Sequence, residues 1–203
     1  GRYQIIYNGE ITITGVADRI IEYPPHFIET GHTMPSSLSA DILKNACDVM
    51  KQGIKALGLT TGAAKGDIKV TKNGAMIGEL AARLSGGFMS AYTFPLSSGV
   101  DLMRAMIEVA LGEEPGNLEP VRNRVSIERA IIARPGTVKK ISGLDEALKV
   151  PGIEHIFLNI KEGDSIVMPT SNVEKHGNVI AVADTLADAE AAVSECLRLL
   201  KIE

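Results

Sequence analysis

The sequence predicts an α+β fold in two parts, and three observations indicate it. In the first half, hairpin-like alternation of apolar residues is interleaved with helix-length apolar stripes. A charged, turn-rich stretch without apolar periodicity, Gly112–Pro120, then interrupts the pattern. The second half repeats the mixture on a smaller scale and closes with an amphipathic helix. We therefore predict a first domain over residues 1–115, with an antiparallel sheet and helices, and a small α+β domain over residues 122–203.

The individual elements follow from periodicity and turn chemistry. Hairpins are predicted over residues 3–16, with a turn at Asn8-Gly9, and over residues 67–81. Ser39 is a good N-cap for a helix that Gly58 ends. The remaining predictions are a helix over 100–111, strands near 124–133, 137–141, 153–159 and 179–183, and helices over 144–148 and 186–200.

Two further expectations concern the first half. Tyr23-Pro24-Pro25 ends a strand, because proline cannot donate a hydrogen bond to a ladder, and the polar segment Glu29–Ser37 is then predicted to be a loop. The helix over 100–111 is predicted to face inward with Leu102, Met103, Ile107 and Leu111.

Composition and charge exclude several classes of protein. Hydrophobic residues make up 45% of the chain and charged residues 23%, which is ordinary for a globular protein. A net charge of -4 gives no general attraction to nucleic acid or to acidic membranes. Cys47 and Cys196 lie in helical patterns, outside any metal or redox motif, and are expected to be small buried apolar residues. We predict a cytoplasmic protein that binds neither nucleic acid nor membranes.

The first hairpin begins at Tyr3, and no initiator methionine precedes it. A sheet that starts at once, without a capping segment, predicts that a longer parent chain was cut at this point.

The hairpin over 67–81 carries one carboxylate on each strand, Asp67 and Glu79, near the end farthest from its turn. Magnesium prefers hard oxygen ligands, and one or two carboxylates with phosphates and water are a common set. Carboxylates at this spacing also occur on solvated hairpin faces, so the pair alone does not decide between the two interpretations.

The register of this hairpin decides whether the carboxylates can meet. A two-residue turn at Asn73-Gly74 would pair Ile68 with Glu79 and send the two carboxylates to opposite faces. A three-residue loop with Gly74 in the left-handed conformation would pair Thr71 with Ala75 and set Asp67 opposite Glu79. We predict the three-residue loop.

The segment after the hairpin can bind an anion. Gly86-Gly87 lets the backbone approach a ligand and turn its N–H groups toward it, and the guanidinium of Arg83 can bind phosphate or carboxylate. The alternative interpretation is a plain glycine-bearing connection beside a surface arginine.

The run from Gly66 to Gly87 resembles the C-terminal core of the ATP-grasp superfamily. The second strand of that core commonly reads Glu-x-Asn-x-Arg, and here it reads Glu79-Leu80-Ala81-Ala82-Arg83. Ala81 stands where the family often has a third metal ligand, and Ala followed by a Gly-Gly loop resembles the branch of L-amino-acid ligases and related carboxylate–amine ligases.

Most of the chain agrees with this resemblance. Residues 1–30 resemble the strand pair after the adenine hinge, residues 38–58 the helix before the metal hairpin, and residues 122–203 the small C-terminal domain of many members. Glu29–Pro35, with His32, resembles a loop beside the substrate pocket. The hinge and the lysines that hold the α- and β-phosphates lie N-terminal to this region, so the chain alone is expected to be inactive.

The resemblance implies an ATP-dependent ligase that joins a small-molecule carboxylate to an amine through an acyl phosphate. It implies ATP and Mg²⁺, or Mn²⁺ in its place, as cofactors, and it leaves a homodimer open. The alternatives are a non-catalytic domain for ligand binding or dimerisation, and an ATP-dependent carboxylase. The implied site residues are Asp67 and Glu79 for the metal, Arg83 for catalysis, and Lys69, Gly86 and Gly87 for cofactor binding.

Overall fold

A computed structural model describes residues 2–203, with side chains from Gln4 onward; Gly1, where the first predicted domain begins, lies outside the described residues. The strands are β1 (Arg2–Tyr7), β2 (Glu10–Val16), β3 (Asp18–Glu22), β4 (Ile28–Met34), β5 (Gly62–Thr71), β6 (Gly74–Ala81), β7 (Val125–Ile131), β8 (Gly136–Thr137), β9 (Ile141–Ser142), β10 (Ile153–Leu158), β11 (Ser165–Ile166), β12 (Gly177–Ala183) and β13 (Lys201–Ile202). The α-helices are α1 (Ala40–Ala56), α2 (Phe94–Ser98), α3 (Leu102–Ala110), α4 (Leu144–Ala147) and α5 (Leu186–Leu199).

The chain divides into two compact units, and each unit is discontinuous in sequence. The first contains the residues up to Asp18 together with Met34–Asn123, and the second contains Arg19–Thr33 together with Arg124–Glu203. The domain boundaries drawn from the sequence place residues 19–33 in the first domain, whereas the structure packs them in the second unit.

The first unit is built on a four-stranded antiparallel sheet in the order β2-β1-β5-β6. Helix α1 packs against β5 and β6 through its buried stripe of Ala46, Met50 and Ile54, which recurs every fourth residue. Ser39 is the N-cap residue of α1 and Gly58 has a left-handed φ of 68°, so both predicted helix boundaries are found.

Helix α3 faces the core with a different stripe from the predicted one. Its buried residues are Leu102, Ala105 and Val109. Only the first of these was predicted to face inward, and Met103, Ile107 and Leu111 are exposed instead. Two apolar stripes run along this helix, and the one that contains the small Ala105 lies against β1 and β5. The prediction for the other three residues was wrong because the sequence does not show which stripe meets a partner.

The second unit contains a five-stranded sheet in the order β10-β12-β7-β4-β3. Helix α5 packs on β7, β10 and β12, and this interface forms the largest part of the core. The buried apolar side chains of this core are Ile127, Ile131, Ala147, Val179, Ala181, Ala189, Val193, Cys196 and Leu200. Burial raises the pKa of the Cys196 thiol to about 11, so this residue behaves as the small apolar side chain that the sequence predicts.

The polar segment predicted as a loop is instead a buried strand. Residues Ile28–Met34 form β4, which lies between β7 and β3 in the second sheet. Polar side chains are tolerated at this place because they are hydrogen-bonded inside the unit, as when Arg129 donates to Thr33 Oγ1 at 3.0 Å. The sequence prediction was wrong here because β4 lacks apolar alternation.

Together the two units confirm the predicted α+β class, in which antiparallel sheets carry a small number of helices. Within residues 2–203, none of the helices is both long enough and apolar enough to cross a membrane.

Candidate functional site

The β5–β6 hairpin brings the two predicted metal ligands together. Asp67 and Glu79 are direct cross-strand partners. The Nζ atom of Lys65 lies 2.8 Å from Asp67 Oδ2 and 2.9 Å from Glu79 Oε1, so both carboxylates lie on the same face of the sheet. The predicted pairing of the two carboxylates is therefore found.

The turn that was predicted to produce this pairing is not found. Thr71 pairs with Gly74, so the turn residues are Lys72 and Asn73. Neither the predicted three-residue loop nor the alternative two-residue turn at Asn73-Gly74 occurs. Gly74 does adopt the expected positive φ, at 101°. The carboxylates meet because the register shifts between Asp67 and Ile68: Ile68 pairs with Ile77, Asp67 pairs with Glu79, and Gly78 is the extra residue of a β-bulge.

The bulge is explained by packing against α1. Ile77 and Leu80 both lie against Gly53 of α1, where an added Cβ would come within 2.6 Å and 3.1 Å of their Cδ1 atoms. The two residues are three positions apart, so a regular strand would place them on opposite faces. One inserted residue allows both side chains to reach the helix while Glu79 remains on the carboxylate face. Nearer the turn, the apolar side chains of Val70 and Met76 are exposed.

Lys65 is the residue at this site that the sequence analysis missed. It lies on β5 two positions before Asp67, and therefore on the same face, and only 6% of the residue is exposed. Its cross-strand partner is Ala81, whose side chain is a single methyl group. The predicted hairpin began at residue 67, whereas β5 begins at Gly62. A strand extended back to Lys65 would have placed the lysine and Asp67 on one face, although not shown that the lysine is buried.

The carboxylates themselves are accessible from solvent. The side chain of Asp67 is 24% exposed and that of Glu79 is 56% exposed, against 8% for Lys65. Among the described residues there is no group of three or more His, Cys, Asp or Glu side chains arranged to hold a metal ion. Within residues 2–203, the carboxylates available to a metal at this place are those of Asp67 and Glu79.

Arg83 follows the end of β6 and is exposed to solvent. Its backbone N–H donates to the Ala81 carbonyl at 2.9 Å, and its guanidinium donates to the Leu84 carbonyl at 3.0 Å. Within the part of the chain that the structure describes, it forms no ion pair with a carboxylate. Its charge is therefore available to an anion.

The glycine loop has an unusual backbone. Gly87 and Phe88 both have left-handed φ values, of 62° and 63°, and a π-helical turn, Met89–Thr93, follows at once and leads into α2. A left-handed aromatic residue is uncommon, and π-turns are frequent at functional sites. A Cβ placed on Gly86 would meet no atom within 4 Å, so this part of the loop borders open space.

Lys69 lies farther along β5 toward the turn, is exposed, and pairs with Met76. It shares the strand face of Asp67. The loop and the hairpin thus belong to one continuous segment of the first unit, from Lys65 to Phe88, that carries all six predicted site residues.

His32 lies in the second unit, in a buried polar cluster on strands β4, β7 and β12. Its Nδ1 is 2.9 Å from Glu128 Oε2, and the side-chain amide of Asn178 donates to the same carboxylate. The residues His32, Glu128 and Asn178 are 2%, 1% and 3% exposed. The histidine therefore lies within a sheet and not in the substrate loop that the resemblance implied.

Two sequence comparisons identify proteins that this chain resembles. A family model described as L-amino acid ligase C-terminal domain 2 matches residues 129–203. The uncharacterized protein y4rH of Sinorhizobium fredii is 32% identical over 181 residues, which is 88% of this chain and 37% of y4rH.

Three solved structures share the fold. The L-amino acid ligase from Bacillus licheniformis superposes with a TM-score of 0.85 at 22% identity, over 100% of this chain and 50% of that one. The phosphoribosylglycinamide synthetase from Anaerococcus prevotii has a TM-score of 0.88 at 20% identity, over 100% and 52%. The biotin carboxylase domain of the 2-oxoglutarate carboxylase from Hydrogenobacter thermophilus, solved with MgADP, has a TM-score of 0.71 at 18% identity, over 100% and 45%.

The chain therefore has the fold of these ligase, synthetase and carboxylase structures, and the fold agrees with the resemblance seen in the sequence. The match to the L-amino acid ligase C-terminal domain 2 model is confined to residues 129–203, in the second half of the chain. The chain spans about half of the length of these solved structures and 37% of y4rH.

Proposed function

We propose that this chain supplies the magnesium and phosphate half of the ATP site in a ligase that joins a carboxylate to an amine. The observation that supports the proposal is the pairing of Asp67 with Glu79 on one face of the β5–β6 hairpin, next to Arg83 and the glycine loop. The ligase family matched by residues 129–203 favours this activity over the carboxylase alternative.

The residues at the site suit a divalent cation of the magnesium type. Two carboxylates offer hard oxygen ligands from opposite strands, and their open side leaves room for phosphate oxygens and water. Asp67 and Glu79 would hold Mg²⁺ or Mn²⁺, and the metal, when bound, would neutralise charge on the β- and γ-phosphates of ATP.

The proposed reaction has two steps. An oxygen of the substrate carboxylate attacks the γ-phosphorus, an acyl phosphate forms, and the bond from the γ-phosphorus to its bridging oxygen breaks, so that ADP leaves. The amine then attacks the acyl carbon, inorganic phosphate leaves, and a proton passes from the nitrogen to solvent. Positioning and charge neutralisation contribute most of the catalysis in phosphoryl transfer.

The chain's own groups would act on the transferred phosphoryl group. Arg83 would bind its oxygens with two parallel hydrogen bonds and stabilise the charge in the transition state. The backbone N–H groups of Gly86 and Gly87 would bind the same oxygens, and Lys69 would contribute positive charge to the nucleotide site.

Mutation in the full-length ligase tests these roles. Arg83→Ala is expected to lower the rate by about two orders of magnitude, or roughly 3 kcal/mol of activation free energy, with little change in Tm. Asp67→Asn and Glu79→Gln are expected to raise the Mg²⁺ concentration needed for half-maximal rate. The measurements are ADP release with Mg²⁺ and a panel of amino acids, and thermal unfolding.

Arg104→Ala is the matched control, because Arg104 is an exposed arginine of the same unit whose ion pair within residues 2–203 is with Glu108, four residues away on α3. Its removal is expected to change neither the rate nor, by more than about 0.5 kcal/mol, the stability. Early unfolding of Arg83→Ala with normal specific activity would make Arg83 a structural residue and would contradict the proposal. The 203-residue chain alone is expected to turn over far more slowly than the usual enzyme scale of roughly 1 s⁻¹ or more.

A further inference from the structure

We propose that the ammonium group of Lys65 occupies the Asp67–Glu79 site and excludes free divalent metal from it. Metal bound to nucleotide phosphate displaces the ammonium group. The inference rests on the proposed function, because it takes the two carboxylates to be the metal ligands. Lys65 is then a regulatory group, distinct from the metal ligands and from the predicted phosphate-binding residues.

Burial and two ion pairs fix the position of the Lys65 side chain in the first unit. Its side chain is 8% exposed, and its ammonium lies within 2.9 Å of an oxygen on each carboxylate. Removing an ammonium group from water is unfavourable unless the group is paired, so this burial depends on the two carboxylates. The methyl side chain of Ala81, directly across the ladder, leaves room for the lysine to reach both of them.

The ammonium occupies the place where a metal would bridge the carboxylates. A magnesium ion would bind oxygens at about 2.1 Å. Two cations cannot both lie between the same pair of oxygens, because like charges at such a short separation repel strongly where water screens them poorly. A free divalent ion must therefore displace Lys65 from at least one carboxylate.

Bound nucleotide changes the competition between Lys65 and the metal ion for the two carboxylates. Lysine is a compact charge on a flexible stem with three hydrogen-bond donors, so it can turn from a carboxylate to a nearby phosphate oxygen. The phosphates provide a new partner for the ammonium at the same time as they bring ligands for the metal. The loss of the lysine's two ion pairs is then offset, and metal binding becomes coupled to nucleotide binding.

The test is a titration of the 203-residue chain with Mn²⁺ in the absence of nucleotide, followed by the electron paramagnetic resonance signal of the free ion. Lys65→Met is expected to bind Mn²⁺ roughly tenfold more tightly than the wild type, or better, because the competing charge is gone. Lys65→Arg keeps the charge and is expected to bind as weakly as the wild type. Lys72→Met removes an exposed lysine from the turn of the same hairpin and is expected to leave the affinity unchanged.

The outcomes separate this inference from the proposed function. If Lys65→Met binds Mn²⁺ no more tightly than the wild type, and Glu79→Gln abolishes binding in both, the metal site stands and the role of Lys65 is overturned. If neither protein binds Mn²⁺ at millimolar concentration, the metal assignment itself fails. The expected gain in Lys65→Met must also disappear in the double variant with Glu79→Gln.

A second measurement covers the case in which Lys65→Met does not fold. In the wild-type chain with ¹³C-labelled lysine, the Lys65 signal is the one that Lys65→Arg lacks. Millimolar Mg²⁺ alone is expected to leave that signal in place, and Mg²⁺ with ATP is expected to shift it. A shift produced by Mg²⁺ alone would overturn the inference.

Discussion

At the scale of single residues, Ser90 has a buried hydroxyl in the π-turn after the glycine loop. The residue is 2% exposed, and within residues 2–203 its Oγ finds no hydrogen-bond partner. A buried polar group without a partner costs about 1–3 kcal/mol, and an apolar replacement of similar shape can remove that cost. We expect Ser90→Ala to raise the free energy of unfolding by about 1 kcal/mol, measured by urea denaturation.

Ser98 is the matched control at the end of the next helical turn. Its Oγ donates to the Phe94 carbonyl at 2.9 Å and accepts from the Val100 N–H at 3.1 Å. Ser98→Ala should therefore lower the free energy of unfolding, by about 1 kcal/mol or more. Equal destabilisation by both substitutions would mean that Ser90 also has a hydrogen-bond partner, such as an ordered water.

For single residues, the sequence revealed which side chains have the chemistry of a site better than it revealed which side chains they contact. Asp67 and Glu79 were found as a pair because residue type and strand position are both visible in the sequence. Lys65 was missed because its burial depends on β5 pairing with β1 as well as β6, and long-range pairing is not encoded in a local pattern. His32 was assigned to a loop for the same reason, since its partner Glu128 lies on another strand 96 residues away.

At the scale of elements, two glycines in strands should respond differently to the same substitution. An alanine Cβ at Gly177 in β12 would lie 2.2 Å from the backbone oxygen of Phe157, so the β10–β12 pairing would have to open. At the bulge residue Gly78 the nearest atom is the Asp67 carbonyl oxygen at 3.5 Å, an ordinary contact. Gly177→Ala is expected to cost about 3 kcal/mol or more, and Gly78→Ala less than about 1 kcal/mol.

Thermal unfolding and hydrogen exchange at β10 and β12 measure this difference. A large loss of stability in Gly78→Ala would show that the bulge requires the conformational freedom of glycine and not only the space that it leaves. The registers of β5 and β6 in that variant can be read from cross-strand contacts in nuclear magnetic resonance spectra.

Elements with strong apolar periodicity were predicted well, and the exceptions have physical causes. Helices α1 and α5 and strands β7, β10 and β12 lie where the pattern placed them. Strand β4 was missed because hydrogen bonds to Glu128 and Arg129, not apolar burial, make its interior position favourable. The hairpin turn was wrong because the register is set by the packing of Ile77 and Leu80 on α1, which turn residues do not report.

At the scale of the whole molecule, the chain path makes the second unit depend on two distant segments. Strands β3 and β4 lie within residues 18–34, while the rest of the sheet comes from residues after 124. Residues 124–203 expressed alone would leave β7 as an unprotected edge and Glu128 without His32. We expect this truncated protein to lack a cooperative unfolding transition in circular dichroism.

A fusion protein provides the control for that prediction. Residues 19–33 joined to residues 124–203 by a flexible Gly/Ser linker restore the missing strands, and cooperative unfolding is expected to return. A cooperative transition of residues 124–203 alone, at the Tm of the full chain, would contradict the prediction, because it would mean that β3 and β4 add nothing to the stability of the second sheet.

The order of the strands in the chain also sets a delay between the synthesis of β4 and the synthesis of its partner β7. Strand β4 ends at Met34 and its neighbour β7 begins at Val125, so about 90 residues are made between them. At ribosomal rates of about 5–20 residues per second, β4 lacks its partner strand for roughly 5–20 s after it is made. An apolar strand exposed for that time would be prone to aggregate, and the polar residues Thr30, His32 and Thr33 reduce that hazard. The same polarity that hides β4 from apolar periodicity would thus lower its tendency to aggregate before its sheet forms.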